Sequence, residues 1–188
     1  YMGFYMVVTP PTDQLWNPGV PFVIKGFGSS NNGLIVPQGK TLTINPGVIV
    51  KFTPSAPFSV SYINVSGILI AQATPTNKIY FTSLKDDSVG GDTNGDGNAT
   101  SPAPGDYHGI RFQAGSAGNL DNVVVRYVFG AINMFGGNVS ILNSQMNNNS
   151  GAINVYVTNG SASLNLDAVL VSNATSGGID LLFAQTAA

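Results

Sequence analysis

The chain contains no cysteine and no glutamate, and few of its residues are charged. Without cysteine, disulfide bonds, thiolate metal sites and thiol nucleophiles are all excluded. Charged residues make up 9% of the 188 residues, and all nine acidic residues are aspartates. Helices are usually solubilised by glutamate, lysine and arginine, whereas this chain is rich in Asn, Ser, Thr and Gly. The composition therefore predicts an all-β protein.

Basic runs and long apolar runs are also missing. The net charge is −2 and the pI is about 4.9, so no basic surface supplies the counterion release that drives nucleic-acid binding. No stretch approaches the roughly 18 apolar residues that a membrane-spanning helix needs. We therefore expect no nucleic-acid partner and no membrane span. Asn-x-Ser/Thr sequons favour an exported, extracellular glycoprotein, and they lie at Asn64, Asn98, Asn138, Asn148, Asn159 and Asn173.

Short apolar runs alternate with Gly/Asn/Ser/Pro turns from Pro21 onward, a pattern typical of strands and turns. Isoleucines recur at residues 110, 132, 153 and 179, and a second apolar series at 123–125, 139–141 and 164–166 precedes them in the last three turns. Residues 42–50 are similar to 63–70, displaced by just over twenty positions. This period is typical of one coil of a parallel β-helix, which buries its inward side chains against neighbouring coils. A β-sandwich with accidental periodicity is the alternative.

Asparagine is frequent at the expected turns between these runs. Asparagine tolerates a left-handed backbone and hydrogen-bonds between coils, so it suits the corners of such a stack. The corner candidates are Asn45, Asn119, Asn143, Asn147, Asn148, Asn149 and Asn173.

Four segments resemble the opening coils of right-handed parallel β-helix repeat proteins exported by bacteria and archaea. They are 21–24, 34–52 (with PQGKTLTINPGVIVKF at 37–52), 67–72 and 79–83. The segment 92–97 followed by 102–110 resembles an insertion seen in that group, with Tyr107 where tryptophan is more usual. The resemblance covers about residues 21–183. It implies a single-stranded right-handed parallel β-helix, here of about seven coils, and export, but it implies function less strongly because such modules serve in adhesins, envelope layers and carbohydrate-active enzymes.

The expected domain organisation is an N-terminal extension and linker at 1–20, followed by a β-helix domain at 21–188 with an acidic loop insertion at 84–108. The extension opens with a β-prone strand at 1–8, and the apolar rung at 178–184 has no capping helix after it. Uncapped coils expose strand edges. We therefore expect either a fragment of a longer β-helix or end-to-end self-association into a filament or cell-surface layer, with the N-terminal strand added to a neighbour's edge.

The acidic loop holds five of the nine aspartates. Its D-x-N-x-D-G motif at 92–97 has the spacing of the first half of an EF-hand calcium loop, although residue 103 is alanine where that loop has its final glutamate. We predict bound calcium, with a solvated Asx/Gly turn as the alternative. The predicted metal ligands are Asp92, Asn94 and Asp96, completed by candidates among Asp86, Asp87 and Asp106.

Catalytic groups do not form a recognisable set in the sequence. His108 has no nucleophile motif beside it, and outside the acidic loop no two aspartates share one phase of the repeat, as a glycosidase would require. Arg111 or Arg126 would be the base of a calcium-dependent lyase. We predict an extracellular structural or adhesive module that is not an enzyme, with surface carbohydrate as a possible partner. The alternative is a carbohydrate-active enzyme (polysaccharide lyase or glycosidase) or a carbohydrate-binding module.

Overall fold

The computed structural model describes residues 4–6, 12–26, 33–55, 60–157 and 161–183. Within those ranges the chain forms β-strands and turns and no helix. The strands are β1 (Phe4–Met6), β2 (Gln14–Trp16), β3 (Phe22–Ile24), β4 (Leu34–Val36), β5 (Thr41–Ile44), β6 (Ile49–Phe52), β7 (Ile63–Val65), β8 (Ile68–Gln72), β9 (Ile79–Ser83), β10 (Ile110–Phe112), β11 (Ala117–Asp121), β12 (Val123–Arg126), β13 (Gly130–Met134), β14 (Gly137–Leu142), β15 (Gln145–Asn147), β16 (Gly151–Val157), β17 (Ala162–Asp167), β18 (Leu170–Ser172) and β19 (Gly177–Phe183).

These strands form three parallel sheets. Sheet 1 has the order β1-β3-β6-β9-β12-β15-β18, sheet 2 the order β2-β5-β8-β11-β14-β17, and sheet 3 the order β4-β7-β10-β13-β16-β19. From β2 onward each strand pairs with the strand three places later, so the chain visits the three sheets in turn and completes six coils in its described part. The predicted all-β class is confirmed, and the topology is consistent with a parallel β-helix. No helix long and apolar enough to cross a membrane occurs among the described residues.

The strand register confirms one predicted repeat series and corrects the others. Ile110, Ile132, Ile153 and Ile179 are consecutive partners in sheet 3. The second series was wrong, because 123–125 lies in sheet 1 whereas 139–141 and 164–166 pair in sheet 2. The upstream displacement was also too short, since Leu42 pairs with Leu69. Coils of unequal length explain both errors, because a fixed period loses the register wherever a turn is longer.

A continuous apolar core fills the inside of the coils. In each strand, alternate side chains point inward, and aliphatic residues of successive coils stack upon one another, as Ile44 does on Ala71. Phe52 and Tyr107 stack at the level of the acidic loop, with ring centroids 4.2 Å apart. Burying one such side chain contributes about 1.5–3 kcal/mol, so the column of coils is held mainly by this core.

Two columns of left-handed residues form corners between sheets. The first column follows sheet 2 and the second follows sheet 1, and φ in both lies between 49° and 64°. Asparagine occupies most of these positions because its side chain tolerates that backbone. Of the predicted corners, Asn143, Asn148 and Asn173 are confirmed, whereas Asn45, Asn119, Asn147 and Asn149 have ordinary φ. The first column consists of Asn122, Asn143 and Ala168, and the second consists of Tyr127, Asn148 and Asn173.

The two ends of the stack differ in how they are covered. At one end β1 pairs in parallel with β3 of the same chain, and β2, within the expected linker, pairs with β5. The N-terminal strand therefore adds to its own sheet 1 rather than to a neighbour's edge. At the other end β17, β18 and β19 are the outermost strands, and the expected apolar rung at 178–184 is described as far as residue 183.

Candidate metal centre

The acidic loop, residues 84–108, leaves the stack after β9 and returns just before β10. Its first part lies over the outer face of sheet 1. Lys51 Nζ of β6 donates a hydrogen bond to the Gly91 carbonyl oxygen at 2.7 Å. A side chain at Gly90 would approach the Pro21 ring to 2.7 Å, so the loop lies too close to the first coil for any residue but glycine. The loop is thus packed against the coils and does not extend freely into solvent.

Asp86 fastens the start of the acidic loop. Its buried carboxylate accepts hydrogen bonds from Thr82 Oγ1 at 2.5 Å and Arg126 Nε at 2.8 Å through Oδ2, and from Ser88 Oγ at 2.7 Å through Oδ1. Burial alone would raise the pKa of Asp86, but the hydrogen bonds from Thr82 and Ser88 and the Arg126 charge hold that pKa below its ordinary value. Asp86 is therefore ionised and already satisfied by protein donors.

Asp106 fastens the other end of the loop. Its carboxylate accepts a hydrogen bond from Ser83 Oγ at 2.7 Å and pairs with Lys85 Nζ at 3.0 Å. The backbone N–H of Ala103 also donates to it, at 3.1 Å. These contacts close the base of the loop across the end of β9. Like Asp86, Asp106 lies apart from the remaining aspartates of the loop and holds the loop in place.

The other three aspartates converge. Asp87, Asp92 and Asp96 each offer one carboxylate oxygen, and these oxygens lie within 4.8 Å of one another. We call this group the aspartate cluster. Asp92 Oδ1 accepts backbone hydrogen bonds from Gly95 and Asp96, and its Oδ2 accepts one from Gly97 at 2.9 Å. These bonds curl the D-x-N-x-D-G segment around Asp92, so the predicted ligands at 92 and 96 are brought together with Asp87.

Three oxygens at the aspartate cluster are buried without a donor. Asp87 Oδ1, Asn94 Oδ1 and Asp96 Oδ1 accept no hydrogen bond from the described residues. Asn94 Nδ2 donates to Asp96 Oδ2 at 2.7 Å, which fixes the orientation of the two side chains. A buried oxygen without a partner costs about 1–3 kcal/mol. A cation among these oxygens would provide the missing partner for all three.

The charges at the aspartate cluster are unbalanced. Burial, followed by the negative charge of Asp92, raises the pKa of Asp87. Burial lowers the pKa of Lys51, and the charges of Asp87, Asp86 and Asp92 oppose that shift. With Asp86 paired to Arg126, three carboxylates face one lysine and leave an excess of two negative charges. One divalent cation matches that excess.

The donor set of the aspartate cluster consists of oxygen atoms. Calcium prefers six to eight oxygen ligands in a flexible arrangement, whereas zinc prefers sulfur and nitrogen. The described cluster contains neither cysteine nor histidine. Carboxylates of Asp87, Asp92 and Asp96 together with the Asn94 amide oxygen are therefore suited to calcium in chemical type.

Two remaining candidates from the sequence lie at β10 of sheet 3, Arg111 within the strand and His108 two residues before it. His108 stacks on Phe129 with ring centroids 5.4 Å apart, and Arg111 lies over the Tyr62 ring at 4.1 Å. Burial, and then the charge of Arg111, lowers the pKa of His108. Neither His108 nor Arg111 has a carboxylate partner among the described side chains. They pack on one another and on aromatic rings, away from the aspartate cluster.

Sequence reasoning missed the role of Lys51. This lysine stands in the apolar run at 48–52, where alternation directs it outward from the coil. It is nevertheless fully buried, because the acidic loop covers it. A charged residue between Val50 and Phe52 was the available signal, but only the folded loop shows what pairs with it.

Comparison with protein-family models, curated proteins and solved structures gave no match to this chain.

Proposed function

We propose that this chain is an extracellular structural or adhesive module, built as a right-handed parallel β-helix, stabilised by calcium and associating end to end. The observation that carries the proposal is the terminal coil, β17–β19. Among the described residues its three strands are the outermost strands of the three sheets, and its inward side chains Ile179 and Leu181 are 47% and 56% exposed. Together with Leu164 and Leu166 they line an apolar opening of about 520 Å³.

The opposite end of a second copy is the occupant that fits this opening. Each sheet ends in one strand at either end of the stack: β18 and β1, β17 and β2, and β19 and β4. Among the described residues each of these six strands has one edge without a partner strand, and all sheets are parallel, so the three edges at one end could continue the three sheets of a second copy. Such a head-to-tail contact does not close on itself and produces a filament. In this arrangement β1 stays on its own sheet and presents its outer edge to the neighbour.

Leu181→Asp is expected to abolish this association, because a carboxylate in the apolar opening would be buried without a partner. The matched control is Leu182→Asp, since Leu182 is 58% exposed but points outward from the same strand. Sedimentation velocity over a range of concentrations measures the outcome. We expect concentration-dependent assembly for the unmodified chain and for Leu182→Asp, and monomers for Leu181→Asp. A monomeric unmodified chain at high concentration would contradict the end-to-end proposal.

The aspartate cluster supports the calcium part of the proposal. The acidic loop is tied down by Asp86 at its start and by Asp106 near its end, and the segment between them holds the buried unpaired oxygens of Asp87, Asn94 and Asp96. A bound cation would cross-link Asp87 to the 92–97 turn. Ion binding of this kind contributes directly to folding free energy.

Calcium is expected to raise the melting temperature of metal-free protein. At a calcium concentration 100-fold above Kd, binding raises the free energy of unfolding by about 2.7 kcal/mol. Asp87→Asn should remove this stabilisation. Asp167→Asn, an exposed aspartate far along the chain from the acidic loop, is the control that should keep it. Differential scanning calorimetry with calcium, magnesium and chelator distinguishes these results. An unchanged melting temperature with calcium would reject the site.

The same experiment has a defined pH dependence. Because the pKa of Asp87 is raised in the folded state, the metal-free protein gains stability from this group as pH falls through that raised pKa. Calcium needs the ionised carboxylate, so the stabilisation by calcium shrinks over the same pH range. A calcium effect that grows on acidification would contradict binding at Asp87.

A further inference from the structure

A groove runs along the outer face of sheet 1, beside the acidic loop, with a volume of about 400 Å³. Its floor consists of side chains that are register partners on four adjacent strands, β6, β9, β12 and β15. At the usual strand spacing this is a distance of roughly 15 Å. The floor residues are Ile49, Tyr80, Val124 and Gln145. We call this feature the outer groove.

A short turn forms one wall of the outer groove. Thr74 and Asn77 form an antiparallel bridge, and the Asn77 N–H donates to Thr74 Oγ1 at 3.1 Å, so Pro75 and Thr76 project at its tip. Asn77 packs against Gly47, where a side chain would approach Asn77 Oδ1 to 2.6 Å. The wall is thus fixed by local hydrogen bonds and by a close contact with the preceding coil. The outer groove is a preformed feature of the fold.

The outer groove carries positive charge and no carboxylate in its lining. The described residues contain two ion pairs, Lys85 with Asp106 and Arg126 with Asp86, and Lys78 belongs to neither. Arg126, which lines the groove, uses Nε and Nη2 toward Asp86 and Ser88, and its Nη1 makes no hydrogen bond with the described residues. The Asn77, Gln145 and Asn147 amides also line the outer groove. The chemistry favours a ligand with carboxylates and hydroxyl groups.

The structure favours a sugar chain over a peptide or a nucleic acid. All four floor strands are paired on both sides, so no free backbone edge exists there for an extended peptide to join. With two cations in its lining, Lys78 and Arg126, the groove neutralises too few phosphates for the counterion release on which nucleic-acid binding depends. The partly exposed Tyr80 ring, by contrast, offers an aromatic surface for a sugar ring beside the Arg126 guanidinium, which lies 5.6 Å from the ring centroid.

We infer that the outer groove binds an acidic oligosaccharide, a chain of uronate residues lying across the strands. Lys78 and Arg126 Nη1 contact sugar carboxylates, Tyr80 packs against a ring face, and Gln145 and Asn147 hydrogen-bond hydroxyl groups. Without a carboxylate in its lining the groove has no acid–base pair for glycoside hydrolysis, so the inference concerns binding of the chain. The inference rests on the adhesive role proposed above, for which it names a ligand, and it requires neither bound calcium nor end-to-end assembly.

Isothermal titration with hexagalacturonate tests this inference, in calcium-free buffer because uronates themselves bind calcium. We expect binding that weakens as salt is raised, and no binding of cellohexaose, a neutral chain of similar length. Lys78→Ala and Gln145→Ala should each weaken binding of hexagalacturonate about tenfold or more, which corresponds to about 1.4 kcal/mol. Lys40→Ala, which removes a lysine from a turn outside the outer groove, should leave the affinity unchanged.

Each other outcome overturns the inference. Absence of hexagalacturonate binding rejects the ligand class, equal binding of cellohexaose rejects the role of charge, and full affinity in both Lys78→Ala and Gln145→Ala rejects the outer groove. Melting curves of the variants show whether they fold. Sedimentation of Lys78→Ala separates this inference from the proposed assembly, because the variant should associate like the unmodified chain whatever its affinity for the sugar.

Discussion

Asp86→Ala is expected to lower the free energy of unfolding by about 3 kcal/mol, the lower end of the range for a broken buried ion pair. The substitution leaves the Arg126 guanidinium without its carboxylate and removes the acceptor of Thr82 and Ser88. The lower end applies because Arg126 keeps part of its side chain in water. Urea unfolding followed by circular dichroism measures the change.

Asp167→Ala is the control for Asp86→Ala, since Asp167 is exposed and should change stability by less than about 0.5 kcal/mol. The pH profile provides a second check. Because the folded-state pKa of Asp86 is lowered, its contribution is complete above the ordinary aspartate pKa and is lost as pH falls through the lowered value. The unmodified and Asp86→Ala proteins should therefore converge in stability only in strong acid. An Asp86→Ala protein as stable as the control at neutral pH would show that the loop is not fastened at this residue.

Tyr107→Ala is expected to cost about 4 kcal/mol, the middle of the range for removing a buried aromatic ring. Tyr107 lies where the acidic loop returns to the coils, and its fully buried ring stacks on Phe52. Its hydroxyl donates a hydrogen bond to the Phe81 carbonyl oxygen at 2.9 Å. The ring thus anchors the loop in the core, and chemical denaturation measures the loss.

Tyr107→Phe separates the ring from its hydroxyl group. This variant keeps the stack on Phe52 and loses one buried hydrogen bond, so a cost of about 1 kcal/mol is expected. Equal losses for Tyr107→Phe and Tyr107→Ala would mean that the hydrogen bond, and not the packing of the ring, holds the loop. A small loss for both would show that the loop returns to the stack without this anchor.

The fold was predictable from the sequence where side-chain chemistry repeats regularly. The isoleucine series predicted the register of sheet 3 because isoleucine occupies the same position in four successive coils, at spacings of 22, 21 and 26 residues. Strands β2, β11 and β15 were not predicted, because β2 lies in the expected linker and β11 and β15 contain Asn119 and Asn147, which were expected at corners. These strands include polar residues or glycine and gain their conformation from the coils beside them. Tyr127 and Ala168 also occupy left-handed corners, which neither residue type indicates.

The candidate metal centre was predictable in composition and only partly in arrangement. The D-x-N-x-D-G spacing placed Asp92, Asn94 and Asp96 together because those contacts are local. The partners of the other three aspartates of the loop were not predictable. Asp86 and Asp106 find cations and hydroxyls on β9, β12 and the loop base, whereas Asp87 turns to the 92–97 segment. These contacts depend on how the loop lies across sheet 1, and the spacing of aspartates in the sequence does not show this.

The acidic loop also changes how unfolding spreads through the molecule. In a plain solenoid each coil touches only its two neighbours, so segments open and close in a nearly one-dimensional manner. Here one stretch of loop is bonded to Lys51, Thr82 and Arg126, which belong to β6, β9 and β12 on three successive coils. This link beyond nearest neighbours makes the central coils a single cooperative unit. The terminal coil β17–β19, which contacts one neighbour within the described chain, forms a separate unit of lower local stability.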